Sequence, residues 1–220
     1  MATLPTNFSL PAGYDLAPHD EPAWELALLY PRQGDWSSED YLHVAESTNR
    51  LVELNEGRLV VLPMPTIEHQ LIVRFLLDAL RAFVETKKLG QVLFSPLPVW
   101  THAKTYREPD VIFQSTERHA KSNRRYYEGA DLVMEVVSAD AASHQRDYED
   151  KVRDYLQAGV AEYWIVDPFQ RRITVLVLEG DQYTELGVFG VGDQATSQLL
   201  QGFDVSVADE KWKLQDRRDV

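Results

Sequence analysis

Asp131-Leu132-Val133-Met134-Glu135-Val136-Val137 is the stretch on which the fold turns. It is apolar on both faces, as a central strand of a sheet covered on two sides must be, so a strand is predicted over 131–138. One residue breaks the pattern. Glu135 is a carboxylate in the middle of an apolar, β-branched run, and burying it without a partner costs several kcal/mol. The elements on either side support a central strand. Upstream, Val111-Ile112-Phe113 follows Arg107-Glu108-Pro109-Asp110 and predicts a strand over 110–114. Downstream, Tyr148, Val152, Tyr155 and Leu156 recur at helical spacing over 145–158, with Gly159 placed to end the helix. Glu162 to Val166 is a second buried strand, stopped at the turn Asp167-Pro168.

Working outward, Ser37-Ser38-Glu39-Asp40 opens a short helix with a serine cap and acids in its first turn. Leu51 to Leu54 and Arg58 to Leu62 form a hairpin turned at Gly57. Thr66 caps a long helix reaching about Thr86. Its apolar face is Leu71, Phe75, Leu76, Ala79, Leu80 and Phe83, and Gly90 is its stop. Short strands are predicted near 91–94 and 97–101, and residues 115–129 read as a polar loop with one helical turn. A hairpin over 172–178 and 182–186 and a short strand near 203–207 complete the chain. The order predicts an α/β fold, a mixed sheet flanked by helices. Three parts are expected: an extended arm over 1–37 lying on the body through Trp24, Leu28 and Tyr30, a folded domain over 38–207, and a charged tail over 208–220.

Composition narrows the functional classes. The 220 residues are 44% hydrophobic, enough for one well-packed domain. The absence of Cys excludes disulfides and thiolate metal sites. No apolar stretch is long enough for a membrane span, and the first twenty residues lack the basic and apolar regions of a signal peptide, so the expected location is the cytoplasm. A net charge of -13 argues against binding nucleic acid by nonspecific attraction. It leaves open a local basic surface at Arg118-His119-Ala120-Lys121 and Arg124-Arg125, which reads equally as a solvated loop.

Asp110, Glu135 and Lys151 are the candidate site. Singly, each has an ordinary explanation: a turn aspartate, a paired buried glutamate, and an i,i+4 partner of Asp147. Together, if strands 110–114 and 131–137 are neighbours, they place two carboxylates and an ammonium where metal-assisted phosphodiester hydrolysis needs them. Carboxylate oxygens suit Mg²⁺ or Mn²⁺, and the Val136 carbonyl is a further candidate ligand. Tyr155 and Trp164 read as core residues rather than base-stacking platforms.

The segments Glu53-Leu54-Asn55-Glu56-Gly57, Pro65-Thr66-Ile67-Glu68-His69, Glu108-Pro109-Asp110 and Gly129 to Ser138 come first in a family-like series. Asp147, Lys151, Tyr155 and Gly159 to Pro168 continue it. With this order and spacing the chain resembles the Uma family of restriction-endonuclease-like proteins, within the PD-(D/E)XK nuclease superfamily, over about residues 38–207. The resemblance implies a restriction-endonuclease-like core and a Mg²⁺-dependent endonuclease acting on nucleic acid, DNA before RNA. It implies metal at Asp110 and Glu135. The lysine usual two residues after the glutamate is Val137 here, and Lys151 on the following helix takes its place. His69 and Glu53 are secondary candidates, His69 because it opens the long helix, Glu53 as a partner of Lys151 or a further acid. Glu68 competes for the same role. Restriction-like folds often pair, so a homodimer is expected. Two other functions remain open: a catalytically silent interaction module with the nuclease fold, and a metal-dependent phosphoesterase for a small substrate.

Overall fold

The computed structural model describes residues 30–48, 50–123, 125–138 and 145–207. Most of the expected arm and all of the expected tail lie outside these residues, as do Trp24, Leu28 and Arg124.

Helix α1 (Ser38–Ser47) starts as predicted. The Ser37 hydroxyl accepts from the Asp40 amide while the Asp40 carboxylate accepts from the Ser37 amide, a capping box. Strands β1 (Val52–Asn55) and β2 (Arg58–Val61) form the hairpin. Its turn needs positive φ at Glu56 (48°) and Gly57 (76°). Helix α2 (Ile67–Lys87) is capped by the Thr66 hydroxyl, which accepts from the His69 amide at 3.1 Å. Then follow β3 (Gly90–Phe94), β4 (Val99–His102), β5 (Thr105–Arg107), β6 (Val111–Ser115), the single-turn helix α3 (Thr116–His119), β7 (Tyr127–Glu128) and β8 (Leu132–Val136). A π-helical turn at Arg146–Asp150 leads into α4 (Lys151–Gln157). Strands β9 (Glu162–Asp167), β10 (Arg172–Glu179), β11 (Gln182–Gly190), β12 (Gln194–Thr196) and β13 (Asp204–Ser206) complete the fold.

The main sheet has the order β11-β10-β9-β8-β6-β3. Its only parallel pair among the described residues is β8 with β9, joined by the crossover through α4. Strand β8 is thus central, as its composition requires. Its alternate residues feed two cores. Leu132, Met134 and Val136 pack with Val111 and Phe113 beneath α2, together with Trp164 and the β12–β13 segment. Val133 and Val137 pack with Ile112, Tyr155, Tyr163 and Ile165 on the α4 side.

Several expectations need correction. The β1–β2 hairpin is not part of the main sheet; it belongs to a second sheet ordered β2-β1-β5-β4-β7. Strands β5, β7 and β12 have two or three residues each, too few to show a period. The buried face of α2 is Ile72, Val73, Leu76, Leu80 and Val84, about one residue round from the predicted stripe. Its stop is Lys88 in the left-handed region (φ 54°). Gly90 begins β3 instead, where a Cβ would stand 2.0 Å from the Gln114 carbonyl oxygen. Helix α4 buries Lys151, Asp154 and Tyr155, while Val152 and Leu156 are only half-buried. Lys151 therefore points into the protein.

Candidate active site

The C-terminal end of β8, the start of β6, the start of α2 and the π-helical turn meet at one cleft. Its free space is about 60 Å³, several times what one water requires. His69, Glu108, Asp110, Glu135, Val136, Arg146, Asp147 and Lys151 all line it. The structure thus brings together Asp110, Glu135, Lys151, His69 and the Val136 backbone.

Antiparallel pairing sets the first two. Val111 of β6 lies opposite Met134 of β8, so Asp110 stands beside Glu135 and Val136. The Asp110 Oδ2 accepts from the Val136 amide at 2.8 Å. Asp110 Oδ2 and the Val136 carbonyl oxygen both converge on His69 Nε2, at 3.2 and 3.0 Å. Both are acceptors, so Nε2 carries the proton. Burial works against charge on this imidazole, but the Asp110 hydrogen bond and charge outweigh it and raise its pKa.

Glu135 points to the α4 side, 3% exposed. Its Oε1 accepts from the Tyr155 hydroxyl at 2.5 Å and lies 2.8 Å from Lys151 Nζ. Lys151 Nζ is also 3.1 Å from Asp147 Oδ1 and 4.0 Å from Glu53 Oε1. Burial pushes the Glu135 carboxyl up; Lys151 opposes this, and the Asp110 and Asp147 charges add to it, leaving the pKa raised. Asp147 is raised for the same first reason. Burial lowers the Lys151 pKa, but three carboxylates around it reverse the shift, so the ammonium is held charged. The π-helical turn is fixed from below, since the Tyr163 hydroxyl donates to the Asp147 carbonyl at 2.9 Å. Such turns recur where a helix must re-aim a side chain.

Glu53 is fully buried, since both faces of β1 are covered. Its Oε2 accepts from Arg107 Nη1 at 2.8 Å and its Oε1 from the Glu108 amide at 3.1 Å. Burial alone would raise its pKa, but Arg107 and Lys151 hold it at about 2. Glu68 is not among the cleft-lining side chains.

Sequence reasoning passed over three participants. Glu108, 6% exposed, lines the cleft with Oε2 free of hydrogen bonds to the described residues, and burial followed by the Glu53 charge pushes its pKa up to about 8. Arg107 and Asp154 form an ion pair behind the cleft. The Glu162 carboxylate, also buried and unforeseen, is structural: it accepts from Trp164 Nε1 and the amides of Gln198 and Leu199. A signal existed for Arg107 and Glu108, which are charged residues inside the Thr105-to-Asp110 run next to a candidate ligand. For Asp154 it was only its spacing of three from Lys151. Tyr155 and Trp164 are fully buried core residues, although the Tyr155 hydroxyl also serves Glu135.

The described arginines and lysine of the basic cluster are already paired, and His119 stacks on Tyr127. Arg118 holds Asp131, Lys121 holds Glu117, and Arg125 holds Glu39 and Glu46. None of them lines the cleft.

A mixed sheet flanked by helices, with acids where β6 and β8 meet and a lysine above them, defines a restriction-endonuclease-like fold. Comparison with known proteins agrees. The Uma2 family, described as "Putative restriction endonuclease", matches residues 38–208, and the chain belongs to that family. Its fold also matches the crystal structure of a "putative nuclease belonging to DUF820" from Anabaena variabilis. The TM-score is 0.60 at 17% identity, covering 75% of this chain and 90% of that one. No curated protein matches the chain. Among the described residues no helix is long and apolar enough to cross a membrane.

Proposed function

We propose that the chain is a Mg²⁺- or Mn²⁺-dependent endonuclease hydrolysing phosphodiester bonds of DNA, with Asp110, Glu135 and the Val136 carbonyl holding the metal. One observation carries this reading. Asp110 Oδ2 and the Val136 carbonyl oxygen already converge on a single hydrogen-bond donor, the His69 Nε2–H, beside a buried glutamate. That place suits a hard cation. The charge balance supports it as well: among the described residues, Glu53, Glu108, Asp110, Glu135, Asp147 and Asp154 face Arg107, Arg146 and Lys151 as their fixed cations. Among the described residues no three His, Asp or Glu side chains form a ready metal cluster. Two carboxylates and a carbonyl are nevertheless an ordinary set for Mg²⁺, which keeps several of its waters.

The metal would supply Lewis-acid polarisation of a phosphoryl oxygen. The remaining work falls to the chain. Lys151, held as an ammonium, orients the attacking water and faces the negative charge that develops on the phosphoryl oxygens. Its raised pKa makes it a donor and not a base. The Tyr155 hydroxyl and Lys151 together fix the Glu135 carboxylate, and His69 holds the Asp110 carboxylate in its rotamer. Family membership supports nucleic acid as the substrate, and a two-fold dimer would present two clefts to the two strands of a duplex.

A silent interaction module is the second reading. It is favoured by the net charge of -13 and by the pairing of the basic cluster with acids. Plasmid nicking in Mg²⁺ or Mn²⁺, run beside calorimetric metal titration, separates the two. Wild type should nick and bind metal, and Asp110→Ala and Glu135→Ala should do neither while melting cooperatively. Asp110→Ala cutting at the wild-type rate sinks the site. Metal binding and cleavage both absent in the wild type favours the module.

A further inference from the structure

Arg107, Glu53, Asp154 and His102 lie behind the cleft and have no place in the reaction just described. Arg107 is 1% exposed and bridges β1 to α4. Its Nη1 donates to Glu53 Oε2 at 2.8 Å. On its other edge Nε donates to Asp154 Oδ2 at 2.7 Å, with Nη2 2.5 Å from the same oxygen. His102 Nε2 meets the second Asp154 oxygen at 3.0 Å.

We propose that Arg107 is a positioning residue of the cleft, a clamp that sets the rotation of α4 and the path of residues 108–110 at once, and so holds Lys151 against Glu135. The proposal rests on the nuclease reading above. One arm of the clamp reaches Asp154, one helical turn along α4 from Lys151 and buried on the same side. Fixing Asp154 fixes the angle at which Lys151 descends to Glu135 Oε1. The other arm reaches Glu53, whose second oxygen accepts the Glu108 amide, two residues before Asp110. That same oxygen is 4.0 Å from Lys151 Nζ. Guanidinium geometry is needed for this, because only a planar fork can serve two carboxylates on different elements. A simple stability role would be met as well by an apolar trio of equal volume, since buried ion pairs are often no better than packed hydrophobics.

The test uses the full chain. Asp154→Asn keeps the shape and leaves Arg107 on Glu53. Thermal melting establishes that it folds, and Mn²⁺ affinity and plasmid nicking are then measured. The expected result is kcat down at least tenfold, with KM and Mn²⁺ affinity within threefold of wild type. The same change in a Lys151→Met background should alter residual nicking less than twofold, because the clamp acts through Lys151. Should Asp154→Asn lose its cooperative melt, Arg107→Lys, which keeps the charge but not the fork, carries the same expectations. Wild-type kcat in the folded variant overturns the clamp, as does an equal loss in both backgrounds, and neither touches the nuclease reading. A wild-type protein that nicks no DNA with either metal removes that reading and the clamp with it.

Discussion

Glu108 offers a direct measure of how over-acidic the cleft is. The perturbation is Glu108→Gln, studied in metal-free protein with chelator present. In the folded chain the carboxyl titrates at about 8 because burial and the Glu53 charge disfavour its ionised form. In the unfolded chain it returns to 4.5. A raised folded pKa means that the folded state keeps the proton longer. Its contribution to stability is therefore fully present below pH 4.5 and is lost as pH rises through 8. Each pH unit in that window removes about 1.36 kcal/mol, so the loss between pH 5 and pH 7 is roughly 2–3 kcal/mol, an upper figure for a group at the edge of a solvent-filled cleft. Glutamine cannot ionise, so it escapes this loss. It also leaves an amide where the protonated acid has a hydroxyl, so the two side chains are nearly matched at pH 5. Urea unfolding of both proteins at half-unit steps from pH 5 to 8 isolates the effect as a difference of slopes. The variant should draw level near pH 5 and become the more stable by about 2 kcal/mol at pH 7. Parallel curves would mean that Glu108 is not held protonated and that the cleft carries less unbalanced charge than its geometry implies.

Two further outcomes follow from single side chains. Lys151→Met leaves the buried Glu135 and Asp147 carboxylates without their shared cation, and should cost about 3–5 kcal/mol in urea at pH 7.5; a loss below about 1 kcal/mol would mean that the ammonium is not buried between them. Gly90→Ala places a methyl 2.0 Å from the Gln114 carbonyl oxygen, a backbone atom held in the β3–β6 ladder. A loss of about 2 kcal/mol or more is expected in urea unfolding, and an unchanged midpoint would show that β3 does not approach β6 this closely.

What was legible in the sequence followed from period and punctuation. Strand β8, apolar on both faces apart from Glu135, announced a central strand, Thr66 announced the start of α2, and Glu56-Gly57 announced the hairpin turn, since each signal is local. What was illegible depended on which sheet an element joins. Strand β5 is three residues long, so nothing in Thr105-Tyr106-Arg107 shows that it pairs with Leu54 and pulls the hairpin into a second sheet. The same pairing buries Glu53, whose alternation with Val52 and Leu54 reads as a polar face until both faces of β1 prove covered. Helix α4 misled for a related reason. Its apolar spacing predicts that Tyr148, Val152, Tyr155 and Leu156 face inward, whereas the buried side carries Lys151, Asp154 and Tyr155 because acids and Arg107 lie beneath it. Charged residues give a hydrophobic pattern no warning that their partners lie on other elements.

The displaced lysine has a structural consequence of its own. Two residues after Glu135, Val137 shares its face of the sheet. There it is 2% exposed and packed with Ile112, Val133 and Tyr155 beneath α4. A lysine at 137 would have to run its stem through that cluster, within the same rigid strand as Glu135. Lys151 instead comes from the opposite layer and meets Glu135 across the helix–sheet interface at 2.8 Å. The carboxylates of the proposed metal site are set by strand register, but the ammonium is set by how α4 docks. A change that rotates α4 therefore moves Lys151 while Asp110, Glu135 and the Val136 carbonyl stay in place. In the proposed reaction this uncouples cation binding from water orientation, which makes the contacts between Arg107, Asp154 and Glu53 as consequential for rate as any residue in the cleft.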